Sequence, residues 1–303
     1  MKDDNDNHVD DDDDDDELEL WTREETPLLS VSICSKKLVK GESTFIDIHL
    51  RQFGSSDDRW GIHSCVWDGG LGLVAYLRDN LPTLAQDGTL YIDLGSGTGV
   101  VGIGIAALLQ NNSTMSDEID QRVLLTDLDE ALPLLHENVE LNSGNRSNVM
   151  TASIVSVESL CWGESFLPVS IERHVAASSR VVVVGADIIY RQNIFDPLLA
   201  TLKLLFATSK VTRCMIATQS IRQHLEEFWT KAASAGFRRH HVANVQVPDD
   251  GATDQMRQDG RRNQLPQVSA PSKETGPGII HILDVVFVES SPKLDRFCQV
   301  MTI

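Results

Sequence analysis

The stretch YIDLGSGTGVVG, residues 91–102, decides how the rest of the chain is read. An apolar run ends in a carboxylate and a leucine, then four glycines fall within eight residues, the last of them inside VVGIGIAALL. That order reads as a strand, a tight turn and a helix. Glycine in such a turn lets backbone approach a ligand closely and presents N–H groups at a helix N-terminus. Two frames compete. Gly97, Gly99 and Gly102 satisfy GxGxxG, the fingerprint of dinucleotide sites, but this frame opens four residues after Asp93 rather than at the strand exit. In the other frame Asp93 ends the strand, and Gly95, Gly97 and Gly99 follow at alternate positions. A carboxylate there suits an amine-bearing ligand and would repel a pyrophosphate. Neither frame is specific on its own.

Working outward, short apolar strands alternate with amphipathic helices. Strand 90–94 precedes helix 99–109, strand 122–126 precedes helix 130–141, and a third strand is expected around 149–155. Strand 181–186 precedes helix 193–206, and strand 213–218 precedes helix 221–235. This alternation predicts an α/β fold, five parallel strands with helices on both faces. Segments 239–247 and 279–288 are strand-like with no helix between them, so they are expected to pair as an antiparallel hairpin. Their connection, 248–277, is polar and rich in Gly, Pro and Gln, and a disordered loop is expected there. Upstream, segment 45–53 alternates Ile46, Ile48 and Leu50 with Phe45, Asp47, His49 and Arg51, as a half-buried strand does. After the polar turn GSSDDRWG, segment 66–81 carries a helical stripe at Val66, Leu73, Val74 and Leu77, closed by Asn80 and Pro82.

The formal net charge of −19 is unevenly placed: residues 1–20 carry −11, which leaves −8 for the rest. Seven consecutive aspartates, Asp10 to Asp16, repel one another and cannot be buried. The chain therefore divides into an acidic, disordered arm (1–27) and one folded domain (28–303). The arm is either a solvated tail or an element that engages a basic partner. An acidic body argues against nucleic acid as partner, since phosphate binding needs clustered Lys and Arg. No apolar run reaches membrane-spanning length, and the acidic start lacks the basic and apolar regions of a secretory signal. Five scattered cysteines without a CxxC pair predict neither a zinc site nor a disulfide framework, and fit a cytoplasmic or nuclear setting. His240 and His241 are adjacent, face opposite sides of a strand and do not suggest a metal pair. Ser96 sits in GSGTG rather than GxSxG, so no nucleophile elbow is read there.

Asp127 ends the second strand in LLTDLDEA, where a carboxylate can accept both hydroxyls of an adenosine ribose. The plainer alternative is a cap for the helix that starts near Asp129. At this point the motifs VWDGGLGLVAYL, DLGSGTGVVGIGIAALL, TDLDEALPLLHENVELN, CWGES and ADIIYRQNIFDPLLATLKLL stand in order. In that order they resemble the seven-strand, S-adenosylmethionine-dependent protein-lysine methyltransferases, relatives of the enzyme that modifies valosin-containing protein. The resemblance runs from Val66 to Leu205 and more loosely to Val288.

It implies a Rossmann-like sheet of seven strands, S-adenosyl-L-methionine as cofactor, and a protein substrate such as a chaperone, an AAA ATPase or a translation factor. It implies a monomer in the cytoplasm or nucleus. Trp67 resembles the aromatic along the methionine side of the cofactor, and Asp93 with Gly95, Gly97 and Gly99 the turn around its amino-acid moiety. Asp127 would hold the ribose and Trp162 would lie beside the adenine, with Ala186 a further contact. Asp187 and Tyr190 match the D-x-x-Y signature and would be catalytic.

Each role has a plainer alternative, a core or loop tryptophan for Trp67 and Trp162 and a helix N-cap for Asp187. A lysine ε-amine, with a pKa near ~10.4, must lose its proton before it can accept a methyl group. Asp187 could accept a hydrogen bond from that amine and Tyr190 could orient it. The polar insertion 111–120, the loop after Val247 and the arm are departures at the periphery, where a protein substrate would be selected. Two further readings stay open: methyl transfer to a histidine, an arginine or a small molecule, and a non-catalytic cofactor-binding interaction protein. An NAD-dependent reductase is more distant.

Overall fold

A computed structural model describes residues 28–36, 43–53, 61–84, 86–112, 121–143, 154–247, 265, 267–276 and 278–288. The acidic arm, residues 113–120 of the insertion, residues 149–153 of the expected third strand and most of 248–277 lie outside the described residues.

The domain is built on β3 (Thr89–Leu94), which is buried along its whole length. β4 (Arg122–Asp127) flanks it on one side and β6 (Arg180–Ala186) on the other, both parallel to it. β5 (Val155–Ser159) and β7 (Val211–Gln219) extend the parallel set outward. β10 (Ile279–Phe287) then lies antiparallel between β7 and β8 (Phe237–Gln246), and β9 (Gln267–Ser269) closes the edge, giving the order β5-β4-β3-β6-β7-β10-β8-β9. The central strands are mostly apolar along their length because both faces are covered. Val182 and Val184 of β6 face one core while Val181 and Val183 face the other.

One face carries α1 (Asp68–Leu84), α2 (Val100–Asn112) and α3 (Leu132–Leu141), the other α4 (Val169–Ala177), α5 (Phe195–Ala207) and α6 (Leu225–Ser234). In α5, Phe195, Leu198, Leu199, Leu202 and Leu205 recur at three- and four-residue steps and form the buried stripe. The hairpin of β1 (Leu28–Lys36) and β2 (Ser43–Arg51) adds Leu29, Val31, Ile33, Ile46, Ile48 and Leu50 to the first core. Asn138 of α3 and Asn142 at its C-cap fasten it. Asn138 accepts from Arg51 N–H (2.6 Å) and donates to Arg51 O (3.0 Å), and Asn142 treats His49 in the same way (2.9 and 2.6 Å). Their amides stand in for a neighbouring strand along β2.

Four expectations need correction. The third strand is β5 at Val155–Ser159, later than 149–155, and its residues are only half-buried. An edge strand of this kind, with two serines and a glutamate, carries little apolar signal. Among the described residues the sheet has eight strands rather than seven, because part of the connection 248–277, expected to be a disordered loop, forms β9 and buries Leu265 in the core. α1 continues past Asn80 and Pro82 to Leu84. A proline near a helix end removes one hydrogen bond, while the Asn80 amide donates to Tyr76 O (2.8 Å) within the helix. Last, α6 begins at Leu225 rather than 221, since His224 takes a left-handed conformation (φ 59°) that ends the preceding turn. β1 and α4 were not expected. In α4 only Ile171 and Val175 are buried, too few to mark a helix in sequence although each contributes roughly 1.5–3 kcal/mol.

Candidate active site

The register brings the carboxyl ends of β3, β4 and β6 level, with Leu94 beside both Thr126 and Gly185. This is where the strand order reverses, the position at which open α/β sheets bind ligands. A cavity of about 300 Å³ lies there.

Its first wall is the glycine turn. Gly95 and Gly97 have φ of 62° and 55°, values that favour glycine. A Cβ on Gly95 would stand 3.1 Å from the Trp162 ring and from Ile188, so the turn and the tryptophan approach as closely as backbone allows. Ser96 N–H donates to Thr126 O (3.0 Å), and Thr126 Oγ1 donates to Asp93 O (2.7 Å), which ties the turn to the end of β4. Asp127 completes this wall. Gly97 N–H donates to its Oδ2 and Leu128 N–H to its Oδ1, each at 2.8 Å, while burial pushes its carboxyl above the ordinary range against these bonds. The carboxylate lines the cavity and each oxygen keeps lone-pair capacity for a further donor.

The second wall comes from the start of α1 and the end of β6. Trp67 lines the cavity just ahead of α1, its indole N–H donating to Ile62 O (2.9 Å). Ala186, Asp187 and Tyr190 line the opposite rim. Asp187 is buried at φ 52° and its carboxylate is held from two directions. Gly69 N–H at the start of α1 donates to Oδ2 (2.7 Å), and Gln219 N–H at the end of β7 donates to Oδ1 (3.3 Å). Burial raises its carboxyl, and the nearby Arg222 guanidinium opposes that rise most strongly. Tyr190 is half-buried, and burial raises its phenol, so it remains a donor at neutral pH.

Residues 30–235 match the lysine methyltransferase family. The chain belongs to that family. Mouse EEF1A lysine methyltransferase 3 is 34% identical over 155 residues, covering 50% of this chain and 53% of that protein. Mouse protein N-lysine methyltransferase METTL21A is 32% identical over 186 residues, covering 60% of this chain and 73% of that protein. The chain thus spans about half the length of the first relative and nearly three quarters of the second. Among solved structures, the N-terminal domain of human METTL16 in complex with SAH aligns over 74% of this chain and 72% of that one, at 12% identity and a TM-score of 0.41. That likeness is too low to bear on function.

Not every expected position in this member of the family faces the cavity. Trp67, Gly95, Gly97, Asp127, Trp162, Ala186, Asp187 and Tyr190 do, whereas Asp93 and Gly99 do not. Asp93 is buried behind the turn, where its Oδ2 accepts from Gly102 N–H (3.1 Å) and burial pushes its carboxyl up to about 7. It braces the turn from behind. Gly99 faces Ile103 and Leu135 in the core. Asp187 does cap a helix, but not the one that follows it: the helix is α1, 118 residues upstream. Two of the lining residues that were not anticipated carry polar groups the site can use. His63 stands four residues before Trp67, and its Nε2 is buried without a hydrogen-bond partner among the described residues. Arg222 comes from the turn after β7, where nothing in IATQSIRQHLEEFW marks one residue as special.

Proposed function

We propose that the chain transfers a methyl group from S-adenosylmethionine to the side-chain amine of a lysine in a protein substrate. The observation that carries this is the joining of two walls in one cavity. One wall offers an acceptor carboxylate, close-set glycines and the Trp162 ring; the other offers Asp187 and Tyr190.

The first wall suits the cofactor. Asp127 is fixed by two backbone N–H groups and retains lone pairs for a diol, and the space a Cβ would fill at Gly95 is kept open beside an indole. The buried, unpartnered Nε2 of His63 adds a polar atom in need of a partner. When bound, S-adenosylmethionine supplies an electrophilic methyl group on a sulfonium. Asp127 would hold the ribose, Trp162 the adenine and Trp67 the methionine side.

The second wall handles the amine. Asp187 is fixed by Gly69 and Gln219, so it presents its remaining lone pairs in one direction. It accepts a hydrogen bond from the entering amine and holds its lone pair in line, a positioning effect rather than covalent chemistry. Tyr190 donates from the same rim. The apolar lining from Ile188 and the two tryptophans removes water, which favours the neutral amine. Support for a substrate drawn from chaperones, AAA ATPases or translation factors comes from the motif resemblance. The charge of −8 outside residues 1–20 suits a target lysine in basic surroundings. A cytoplasmic or nuclear monomer is part of the same reading.

Methyl incorporation from labelled S-adenosylmethionine into a cell extract tests this, with Asp127→Ala as control. A protein band labelled by wild type alone, with methyllysine found by mass spectrometry, is the expected result. Methylhistidine or methylarginine in that band, or label confined to small molecules, would overturn it.

A further inference from the structure

Arg222 is one of the residues of this cavity that no motif named. Its side chain is only 10% exposed, yet Nε lies 3.9 Å from Asp187 Oδ1 and finds no hydrogen-bond partner among the described residues. Its Cζ lies 5.4 Å from the centre of the Trp67 ring, within cation–π range. It also lines a second cavity, of about 580 Å³, between the start of α6 and residues 272–275, so it forms part of the wall between the two.

We infer that Arg222 is a positioning residue for the methyl transfer proposed above: paired with Asp187 and laid on Trp67, it fixes the carboxylate as an anion and sets the charge that the entering amine meets.

Asp187 is otherwise held by two backbone N–H groups, and its buried site disfavours the ionised form. The charged groups around it are few. Asp68 at the start of α1 opposes its ionisation, Tyr190 and Arg191 follow on its own loop, and Arg222 from the turn after β7 is the cation paired with it. An unbalanced carboxylate beside the target lysine would take up a proton, or would favour the ammonium form that cannot accept a methyl group. A guanidinium in the wall counters both tendencies. Its charge persists at every working pH, and its planar group can lie on the Trp67 ring.

The test rests on the lysine-methyltransferase reading and is arranged to separate the two. Initial rates of tritium transfer from labelled S-adenosylmethionine into extract protein are measured from about pH 6 to 9 for wild type, R222Q and R222K. Removing Arg222 raises the pKa of Asp187 and of the bound amine together, so the acid limb moves to higher pH in R222Q. At pH 7 the rate should fall roughly tenfold or more, as for a shift of about one pKa unit or more when an opposite charge within ~4–6 Å is lost, and recover in part as pH rises. R222K keeps the charge and loses the planar contact with Trp67, so its rate falls while its acid limb stays near that of wild type. Thermal unfolding of wild type, R222Q, D187N and the double variant supplies a readout without turnover. Losing Arg222 should destabilise more at pH 8.5 than at pH 5.5, and less when Asp187 is already Asn. A labelled wild-type band with an unmoved acid limb in R222Q, or a moved one in R222K, would overturn the inference and leave the proposed function standing. An extract that even wild type leaves unlabelled would remove the function, and the positioning role with it. If R222Q does not fold, R222K and the D187N comparison still decide.

Discussion

The two walls of the cavity are built in different ways. The glycine turn and Asp127 are tied by hydrogen bonds between residues 30 and 33 positions apart, within one strand–helix–strand unit. Asp187 is held by Gly69, 118 residues away, and by Gln219, 32 residues on. The first wall is local and repeats a pattern found wherever a strand feeds a glycine turn. The second exists only after α1, β6 and β7 have come together. A wall assembled from distant parts should be the easier one to break without losing the other.

The largest effect expected is from Asp187→Asn. Methyl transfer should fall on the order of 10²–10⁴-fold, the range for loss of a positioned acid–base group, while cofactor binding by calorimetry stays close to wild type. Gly69→Ala sharpens the point from the far side, because a methyl group there would collide with the Asp187 carboxylate. It should lose activity in the same direction although Gly69 itself makes no chemistry. Retained activity in Gly69→Ala would show that the second wall does not depend on the start of α1.

Asn138 links the hairpin to the first wall, since its amide also donates to Thr98 O (2.8 Å) in the glycine turn. Asn138→Ala leaves several buried partners unpaired and should cost about 3 kcal/mol by chemical unfolding. A loss under ~0.5 kcal/mol, the size of an ordinary surface change, would mean that the hairpin is carried by its apolar face alone. Asp127→Ala should weaken cofactor binding roughly 10- to 100-fold, the value of one charge-assisted bond. Its fold should survive, because Gly97 and Leu128 N–H groups at the cavity wall can bond to water.

Asp93→Asn should have the smallest effect on binding, because its carboxylate does not face the cavity. Its signature lies in pH. The folded carboxyl is raised from 3.8 to about 7, so the folded state holds a proton that the unfolded chain has released across that window. Asp93's contribution is therefore fully present below the lower value and is lost as pH rises through the upper one. The melting temperature of wild type should fall relative to Asp93→Asn between those values and then level off. A flat difference would place Asp93 in water rather than behind the turn.

Much of this was legible in sequence, and for local reasons. Strands buried on both faces read as unbroken apolar runs, and the helix periodicity of 195–207 is plain. Trp67, Gly95, Gly97, Asp127, Trp162, Ala186, Asp187 and Tyr190 all reach one cavity. What the sequence left unread is weakly patterned: a half-buried edge strand at 155–159, a short helix with two buried residues, and a three-residue strand within a polar segment. The misplacement of Asp93 and Gly99 has another cause. Their alternate spacing with Gly95 and Gly97 does not say which of the four face the cavity; that is decided by the helices packed behind the turn, where Asp93 accepts from Gly102 and Gly99 meets Ile103 and Leu135.

The sequence by itself determined the α/β order, the glycine turn and the acidic strand ends, because strand and helix periodicity and backbone conformation are local properties. Only the tertiary structure decided that Asp187 caps α1, that Asp93 braces the turn from behind, and that Arg222 stands against Asp187 and Trp67. Those contacts join segments far apart in the chain, and their energies depend on burial and distance, which no spacing along a sequence encodes.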